Sequence, residues 1–371
     1  MIFDIDCRNL QEGLSIVTRA LSVRPAQKIL EGVLIQSKNT DQISFLCSDT
    51  NLSIRASFEA NVTENGMIVL PGRFFSELSR KMPLSTVSIK SEENNKVQIK
   101  CLSSNSSLIG LNAVEYPQIP EVSSVVSFSI SQKKLKDMIS KTVFAISTDE
   151  NRQVFTGGLL ELSPSEVRII ALDGFRIAVQ KYEQEGVIPE NMTQYKAIIP
   201  GKVLNELSKI LNDSDDLCTI SINEKHIRFE FSNIELISVL LTGEFIDYRK
   251  IIPAQFKTHA VINKMIFQES IDRASLIARE GKNNIIRMKF EHDHLRISSR
   301  AEMGEVVENM DVSLDGDPLE IAFNSKYLND IVKNIPEDQL FMSFNTNVSP
   351  CVIKNEDNDD YMYMVLPMRI N

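Results

Sequence analysis

The chain has no tryptophan and little of the reactive residues: four histidines and five cysteines among 371 residues. With so few histidines, none in a triad-like context, general acid–base chemistry has few candidates. Cys7, Cys47, Cys101, Cys218 and Cys351 are odd in number, scattered and never in C-x-x-C spacing. That pattern suggests neither a disulfide framework nor a zinc site, so the thiols are expected to be reduced and packed mostly in strands. No apolar run approaches the roughly 18 residues of a membrane span. The start MIFDIDCRNL lacks the charged, apolar and cleavage regions of a secretion signal, so a cytoplasmic location without a membrane partner is expected. Positive charge is also short: 40 Lys and Arg stand against 50 Asp and Glu, and the net charge of −10 opposes tight, nonspecific adsorption to nucleic acid. Also missing are GxxxxGK[ST], a GxGxxG opening a helix, HExxH and GxSxG.

What is present is a repeat. PGRFFSELSRKMP from Pro71, PGKVLNELSKILN from Pro200 and FNSKYLNDIVKNIP from Phe323 are three versions of one helix, separated each time by about a third of the chain. A second helix recurs in step: LQEGLSIVTRALS from Leu10, LKDMISKTVFAIS from Leu135 and FQESIDRASLIAR from Phe267. Apolar residues fall at helical spacing in these, as at Leu10, Leu14, Val17 and Leu21, or Leu135, Ile139 and Ile146. Between the helices, ISFLCSDTNLSIRASF, EVRIIALDGFRIAVQ and IIRMKFEHDHLRISS read as antiparallel hairpins. The predicted unit is helix, several strands, helix, several strands, written three times. Such units are too large for a solenoid repeat and large enough for separate cores. The Pro-containing connections EYPQIPEVSS and DYRKIIPAQF divide the chain into three like-folded α+β domains, 1–122, 123–253 and 254–371.

In the second helix of each repeat two basic residues stand seven apart and share a face: Arg73 and Arg80, Lys202 and Lys209, Lys326 and Lys333. Phe74, Leu78 and Met82, with their counterparts Val203, Leu207 and Leu211 or Leu328, Ile331 and Ile335, are expected to point toward the strands. Glu77, Glu206 and Asp330 lie between the cations, so ordinary salt bridges on a solvated face are an alternative to a functional cationic face. The recurrence in register, inside an acidic chain, favours function.

His292 and His294 in EHDHL are read as an exposed hairpin, not a metal site, and NEDNDD at 355–360 as a solvated hairpin tip, lacking the central Gly and Glu spacing of an EF-hand. The end YMYMVLPMRIN is read as a core strand over Tyr361–Val365, followed after Pro367 by a surface tail. Flexible methionines there (Met362, Met364, Met368) suit a pocket that accepts several apolar peptides.

These features converge on a family. Three copies over the whole chain, with SVRPAQKILEGVLI near the start, ALDGFRIAV in the second copy, FIDYRKIIP closing it and VLPMRI at the end, resemble the beta subunits of bacterial DNA polymerase III, the sliding clamps. The resemblance implies the DNA clamp fold: three domains, each with two inner helices and outer antiparallel sheets, and two chains joined head to tail in a ring around double-stranded DNA. It implies a processivity factor, a non-catalytic accessory subunit of a DNA-directed DNA polymerase holoenzyme, without cofactor, metal or catalytic residue. Its partners would be the polymerase III catalytic subunit, the clamp loader, and other replication and repair proteins.

Partner peptides would enter a cleft between the second and third domains. The matching positions are Phe155, Leu172, Gly174, Phe175, Arg176 and Ile177; Ile246, Lys250 and Ile251; Asn324 and Tyr327; Val348 and Pro350; and Met364, Val365, Leu366, Pro367, Met368 and Arg369. Phe175 and Ile246 depart from the family, where histidine and proline are common, and bear on peptide preference. Arg24 matches a DNA-contact position of the family, in a loop at the edge of the hole, and Arg152 is expected to face DNA as well. Ring closure would set the basic strand around Lys96 and Lys100, with Leu108, against Glu302, Glu305 and Glu308 with Ile277. Two other readings stand beside this one: an enzyme with a pocket of coupled titratable groups, and a non-clamp modular three-domain binding protein.

Overall fold

The computed structural model describes every residue except 23, 24, 26, 38, 190, 357, 358, 370 and 371, and the side chain of Lys282. Six α-helices are present among the described residues: α1 (Cys7–Val17), α2 (Gly72–Arg80), α3 (Gln132–Ser140), α4 (Gly201–Ile210), α5 (Lys264–Glu280) and α6 (Ser325–Val332). Each starts directly off the end of a strand. The capping chemistry explains the sharp change of direction: Asp6 accepts from Arg8 N–H at the start of α1, Asn263 from Ile266 N–H at α5, and Asn324 from Lys326 N–H at α6. At α2 and α4 the junction is Pro-Gly instead. A Cβ on Gly201 would meet the Thr156 carbonyl oxygen at 2.8 Å, so the backbone approach there needs glycine, and one on Gly72 would crowd Leu21 Cδ1 at 2.8 Å and the Glu31 carbonyl at 3.1 Å.

The chain divides into two compact units, Met1–Lys136 with Glu206–Leu240, and Asp137–Asn205 with Leu241–Asn371. The first contains a five-stranded and an eight-stranded antiparallel sheet. The five-stranded sheet runs Asn61–Glu64, Ile2–Asp6, Thr86–Ser91, Lys96–Cys101, Ser104–Ile109, and the last of these is an open edge. In the eight-stranded sheet Leu52–Glu59 pairs antiparallel with Ile234–Val239, Ala56 opposite Ile234 and Leu52 opposite Ser238. The first repeat is thereby joined to the second by a continuous ladder.

The second unit repeats the arrangement. In its nine-stranded sheet Arg176–Glu183 pairs with Tyr361–Val365, Arg176 opposite Val365, joining the second repeat to the third. Its four-stranded sheet, in the order Gly304–Asp311, His294–Ala301, Ile285–Phe290, Leu319–Asn324, ends in an open edge at Gly304–Asp311. One face of this sheet packs against the two helices: Phe267, Ile271, Ala274 and Ala278 of α5 and Leu328, Ile331 and Val332 of α6 bury Ile286, Met288, Ile297 and Phe323. Cys7 lies at the start of α1, the other four cysteines lie in strands, and all five are free and buried. Burial pushes the Cys218 thiol up to about 12, which keeps it unreactive.

The expected hairpins form: Gln42–Ser48 with Leu52–Glu59, Glu166–Leu172 with Arg176–Glu183, and Ile285–Phe290 with His294–Ala301. His292 sits in the turn of the last, and His294 lies beside Asn309 at 3.2 Å. The tip of NEDNDD at 357 and 358 lies outside the described residues.

Three expectations are corrected. α3 stops at Ser140 and does not run on to Ile146, because the Thr142 hydroxyl caps the carbonyls of Met138 and Ile139 and the chain turns into a short 3-10 segment, Val143–Ala145. In α2 the buried residues are Gly72, Phe75, Ser76 and Ser79, so it is Phe75 that packs, and Phe74 is 55% exposed. The terminal segment does not simply lie on the surface after Pro367: Met368 N–H donates to the Ala322 carbonyl at 2.7 Å, an isolated bridge to the four-stranded sheet.

Candidate peptide-binding cleft and cationic helix faces

The turn between Glu166–Leu172 and Arg176–Glu183 organises one end of the candidate cleft. Asp173 Oδ1 accepts from the backbone N–H of Phe175 (2.9 Å) and of Arg176 (3.1 Å), and Gly174 between them has φ +92°, a left-handed value that L-residues adopt at a cost. The result is Phe175 held outward, 50% exposed, its ring stacked on Tyr327 of α6 at 5.8 Å. Arg176 fixes this pair from behind. It is buried, donates from Nε to Asp173 Oδ2 (3.0 Å), from Nη1 to Asp330 Oδ2 (2.6 Å) and from Nη2 to the Phe144 carbonyl (2.6 Å), and its guanidinium lies 4.7 Å from the Tyr327 ring centre. With its donors so engaged, Arg176 supports the aromatic platform and does not offer its charge to a ligand.

Beside the platform lies an apolar patch. Leu172, Ile177 and Met364 are buried together with Tyr248 and Val352, and Phe155 and Leu366 pack partly exposed against them. Strand alternation selects the members: Met362, Met364 and Leu366 turn to this side, while Tyr361, Tyr363 and Val365 turn into the core under α5 and α6. Val365 therefore does not line the cleft. Leu366 N–H donates to the Phe175 carbonyl at 2.8 Å, tying the terminal segment to the platform. Ile246, Ile251 and Val348 are exposed, Pro350 and Pro367 half-buried, Arg369 exposed. The Asn324 side chain is occupied, accepting from Lys326 N–H and donating to the Asn283 carbonyl, and Lys250 pairs with Asp247 at 3.3 Å.

Sequence reasoning missed Val154, Leu241 and Phe245, which belong to the same patch; Phe245 meets Phe155 edge-on at 5.9 Å. It also missed Glu161. This carboxylate is 3% exposed and accepts from Gln194 Nε2 (2.6 Å), Tyr248 Oη (3.1 Å) and both terminal nitrogens of Arg249, with Lys196 Nζ at 3.3 Å. Burial by itself would raise its pKa, but the Arg249, Tyr248 and Lys196 contacts outweigh that and hold the carboxyl below the usual range. The short turn Tyr248–Lys250, between Ile246 and Ile251, is thereby pinned to the sheet. No local sequence signal announces a partner so far away in the chain; FIDYRKIIP contained Tyr248 and Arg249 but not their acceptor.

The cationic faces survive in part. Arg73, Arg80, Lys202, Lys326 and Lys333 are exposed as expected. Lys209 pairs with Glu206 at 2.8 Å, and Glu206 also accepts from Arg19 at 2.9 Å, so α4 carries the ordinary surface salt bridge foreseen as the alternative. In α6 Asp330 is turned to Arg176 instead, away from pairing along its own helix. Arg152 is exposed with Asp149 at 3.9 Å, and Arg24 lies outside the described residues.

The residues expected at a subunit interface sit on or beside the two open edges. Leu108 is on Ser104–Ile109, with Lys96 and Lys100 on the next strand; Glu305 is on Gly304–Asp311, Glu302 in the turn before it, and Ile277 on α5. Glu308 lies on the same edge strand, Gly304–Asp311. It is engaged within its own chain, accepting from Arg273 Nε (3.0 Å) and Nη2 (2.7 Å), contacts that hold its carboxyl below the usual range.

Three tandem domains of like fold, each with two helices and antiparallel sheets, are the architecture of the DNA clamp fold. The sequence matches the model of the DNA polymerase III beta subunit in all three parts: N-terminal domain over residues 1–120, central domain over 129–247 and C-terminal domain over 249–369. It is 35% identical to the beta sliding clamp of Bacillus subtilis strain 168 over the full length of both chains, and 35% identical to that of Staphylococcus aureus strain Mu50 over 96% of each. The crystal structure of the B. subtilis DNA polymerase sliding clamp superposes with a TM-score of 0.96, covering all of both chains at 34% identity. The chain belongs to the family of DNA polymerase III beta subunits, the sliding clamps. It is a processivity factor and a non-catalytic accessory protein. The readings as an enzyme and as a non-clamp modular protein are set aside. Among the described residues no helix is long and apolar enough to cross a membrane.

Proposed function

We propose that two copies of this chain close head to tail around duplex DNA in the cytoplasm and hold partner proteins by peptides seated in the cleft of Phe155, Leu172, Ile177, Met364 and Leu366. The observation that carries the ring is the pattern of ladders. In each repeat the third strand after the first helix is Leu52–Glu59, Arg176–Glu183 or Gly304–Asp311, and the last strand is Ser104–Ile109, Ile234–Val239 or Tyr361–Val365. The first repeat's third strand pairs with the second's last, and the second's third with the third's last. The strands left over are the third repeat's third and the first repeat's last, and each lies at an edge of its sheet. A second copy supplies the missing mate at each, and a heterologous contact of this kind closes at two chains when the geometry allows. Exposed Ile109, Met303 and Val307 would be covered, and Lys96 and Lys100 would face Glu302 and Glu305.

DNA is then retained by enclosure, so the helix faces need only weak, sequence-independent phosphate contacts from Arg73, Arg80, Lys202, Lys209, Lys326 and Lys333, with Arg24 and Arg152 at the edge. In the cleft, each fully buried leucine- or phenylalanine-sized anchor contributes about 1.5–3 kcal/mol, offset by the ordering of the peptide. The occupants are peptides of the polymerase III catalytic subunit, the clamp loader and other replication and repair proteins. The domain limits 1–122, 123–253 and 254–371 belong to the same proposal. Loading onto nicked circular DNA followed by linearisation tests it: the protein is expected to remain on circles and leave cut ends, and retention on linear DNA would overturn enclosure.

A further inference from the structure

The four-stranded sheet carries a hollow of about 580 Å³ that reaches the C-terminal end of α5 at Ala278 and Gly281 and meets the proposed subunit edge only at Glu305. It is lined by Arg287 and Lys289 on one strand, Arg296, Ser298 and Arg300 on the next, with Glu320 and Glu305 toward its two sides. Lys289 is opposite Arg296 and Arg287 is opposite Ser298 in the ladder. Four cations in one hollow stand out in a chain of net charge −10. Lys289 pairs with Glu291 at 2.7 Å, but no salt bridge to a described residue engages Arg296 or Arg300, and both are exposed.

We propose that this hollow binds an extended acidic segment of a partner protein, with carboxylates at alternate positions. Spacing argues for it. Residues two apart on a strand lie about 6.8 Å from each other and neighbouring strands about 4.8 Å apart, so the cations form a lattice. A peptide in extended conformation presents alternate side chains at the same about 6.8 Å repeat, and arginine forks donate to carboxylates in bidentate fashion. A single small anion would be met by converging cations, and these are spread over two strands. A nucleic-acid strand fits less well, because no aromatic ring lines the hollow for bases to stack on, and Glu305 and Glu320 interrupt the field that a uniform row of phosphates requires.

The test uses the full-length protein and two fluorescein-labelled ten-residue peptides of equal composition, one alternating Glu and Ser, the other five Glu followed by five Ser, with a ten-nucleotide oligo-dT as third probe, at about 0.1 M salt. The alternating peptide is expected to bind at least about 5-fold tighter than the block peptide, with the Arg296→Gln/Arg300→Gln double variant weakening it at least about 10-fold and the Arg296→Lys/Arg300→Lys variant restoring part of the loss. The comparison of peptides on the unaltered protein stands even where a variant folds poorly. Equal binding of the two peptides, an unchanged affinity in the Gln variant, oligo-dT binding as tight as the alternating peptide, or no binding at all would overturn the proposal.

Discussion

Replacing Glu161 with glutamine removes one charge and keeps the shape, and the consequence can be worked from its contacts. All its partners are donors: Gln194 Nε2, Tyr248 Oη, two nitrogens of Arg249, and Lys196 Nζ. An amide offers one acceptor oxygen, and its NH2 must face donors. Breaking a buried ion pair from one side costs about 3–5 kcal/mol, but Arg249 and Lys196 are about half exposed and can recover water, so Glu161→Gln is expected to cost about 2 kcal/mol. With a urea dependence of about 2 kcal/mol per molar, the unfolding midpoint of the unit containing it falls by about 1 M. The pH dependence has a definite sign. The folded-state pKa of Glu161 is depressed, so its stabilisation is present above the unfolded glutamate value of about 4.3 and is lost as pH falls through the folded value. The gap between variant and parent should therefore be full at pH 7 and narrow below about pH 4. Urea unfolding followed by circular dichroism gives the global value. Hydrogen exchange of segment 245–252, read by mass spectrometry, isolates the turn that Glu161 pins. A variant within about 0.5 kcal/mol of the parent at pH 7, a gap indifferent to pH, or unchanged exchange in that segment would refute the reasoning.

Phe175→Ala removes an exposed ring from a supported platform, so affinity for an apolar peptide selected on the parent protein should fall about 5- to 10-fold by fluorescence anisotropy, with stability changed by less than about 0.5 kcal/mol. Gly174→Ala forces a Cβ into a left-handed residue, 3.0 Å from Arg152 Nη1; it should lower stability by about 1–2 kcal/mol and weaken peptide binding as well, and an affinity untouched by this change would argue against the turn as the setter of Phe175. Glu305→Lys should raise the dimer dissociation constant in sedimentation velocity, and adding Lys100→Glu should lower it again; identical sedimentation of all three proteins would remove the charge pairing from the interface.

The helices, hairpins and threefold plan were legible because they rest on local periodicity and on turn and capping chemistry that recurs at fixed spacing. Reading failed mostly where the deciding contact was distant in sequence, and once, at Thr142, where a local side-chain bond broke the period. Nothing in PGRFFSELSR says which of two adjacent phenylalanines packs; the structure buries Phe75 and leaves Phe74 exposed. Helical spacing carried α3 as far as Ile146, but the Thr142 hydroxyl ended it. Pro367 correctly marks the end of Tyr361–Val365, yet cannot foretell that Met368 reaches Ala322. Most of the apolar patch was legible through family resemblance, whereas its alternation, which sends Met364 one way and Val365 the other, needed the strand's register. Glu161 and Arg249 were invisible as a pair for the same reason that Glu308 looked available: an isolated carboxylate in a sequence does not reveal which guanidinium will claim it.

The ladders that weld one repeat to the next also limit how this molecule can be cut. Excising the third repeat would strip Arg176–Glu183 from Tyr361–Val365, and excising the first would strip Ile234–Val239 from Leu52–Glu59. Each fragment would carry a raw, hydrogen-bonding border flanked by apolar side chains, the kind of surface that recruits any strand within reach. Fragments made for binding studies should therefore keep both strands of each ladder or carry a charged residue on the severed border, since a cut chosen from the repeat pattern alone would leave a sticky module.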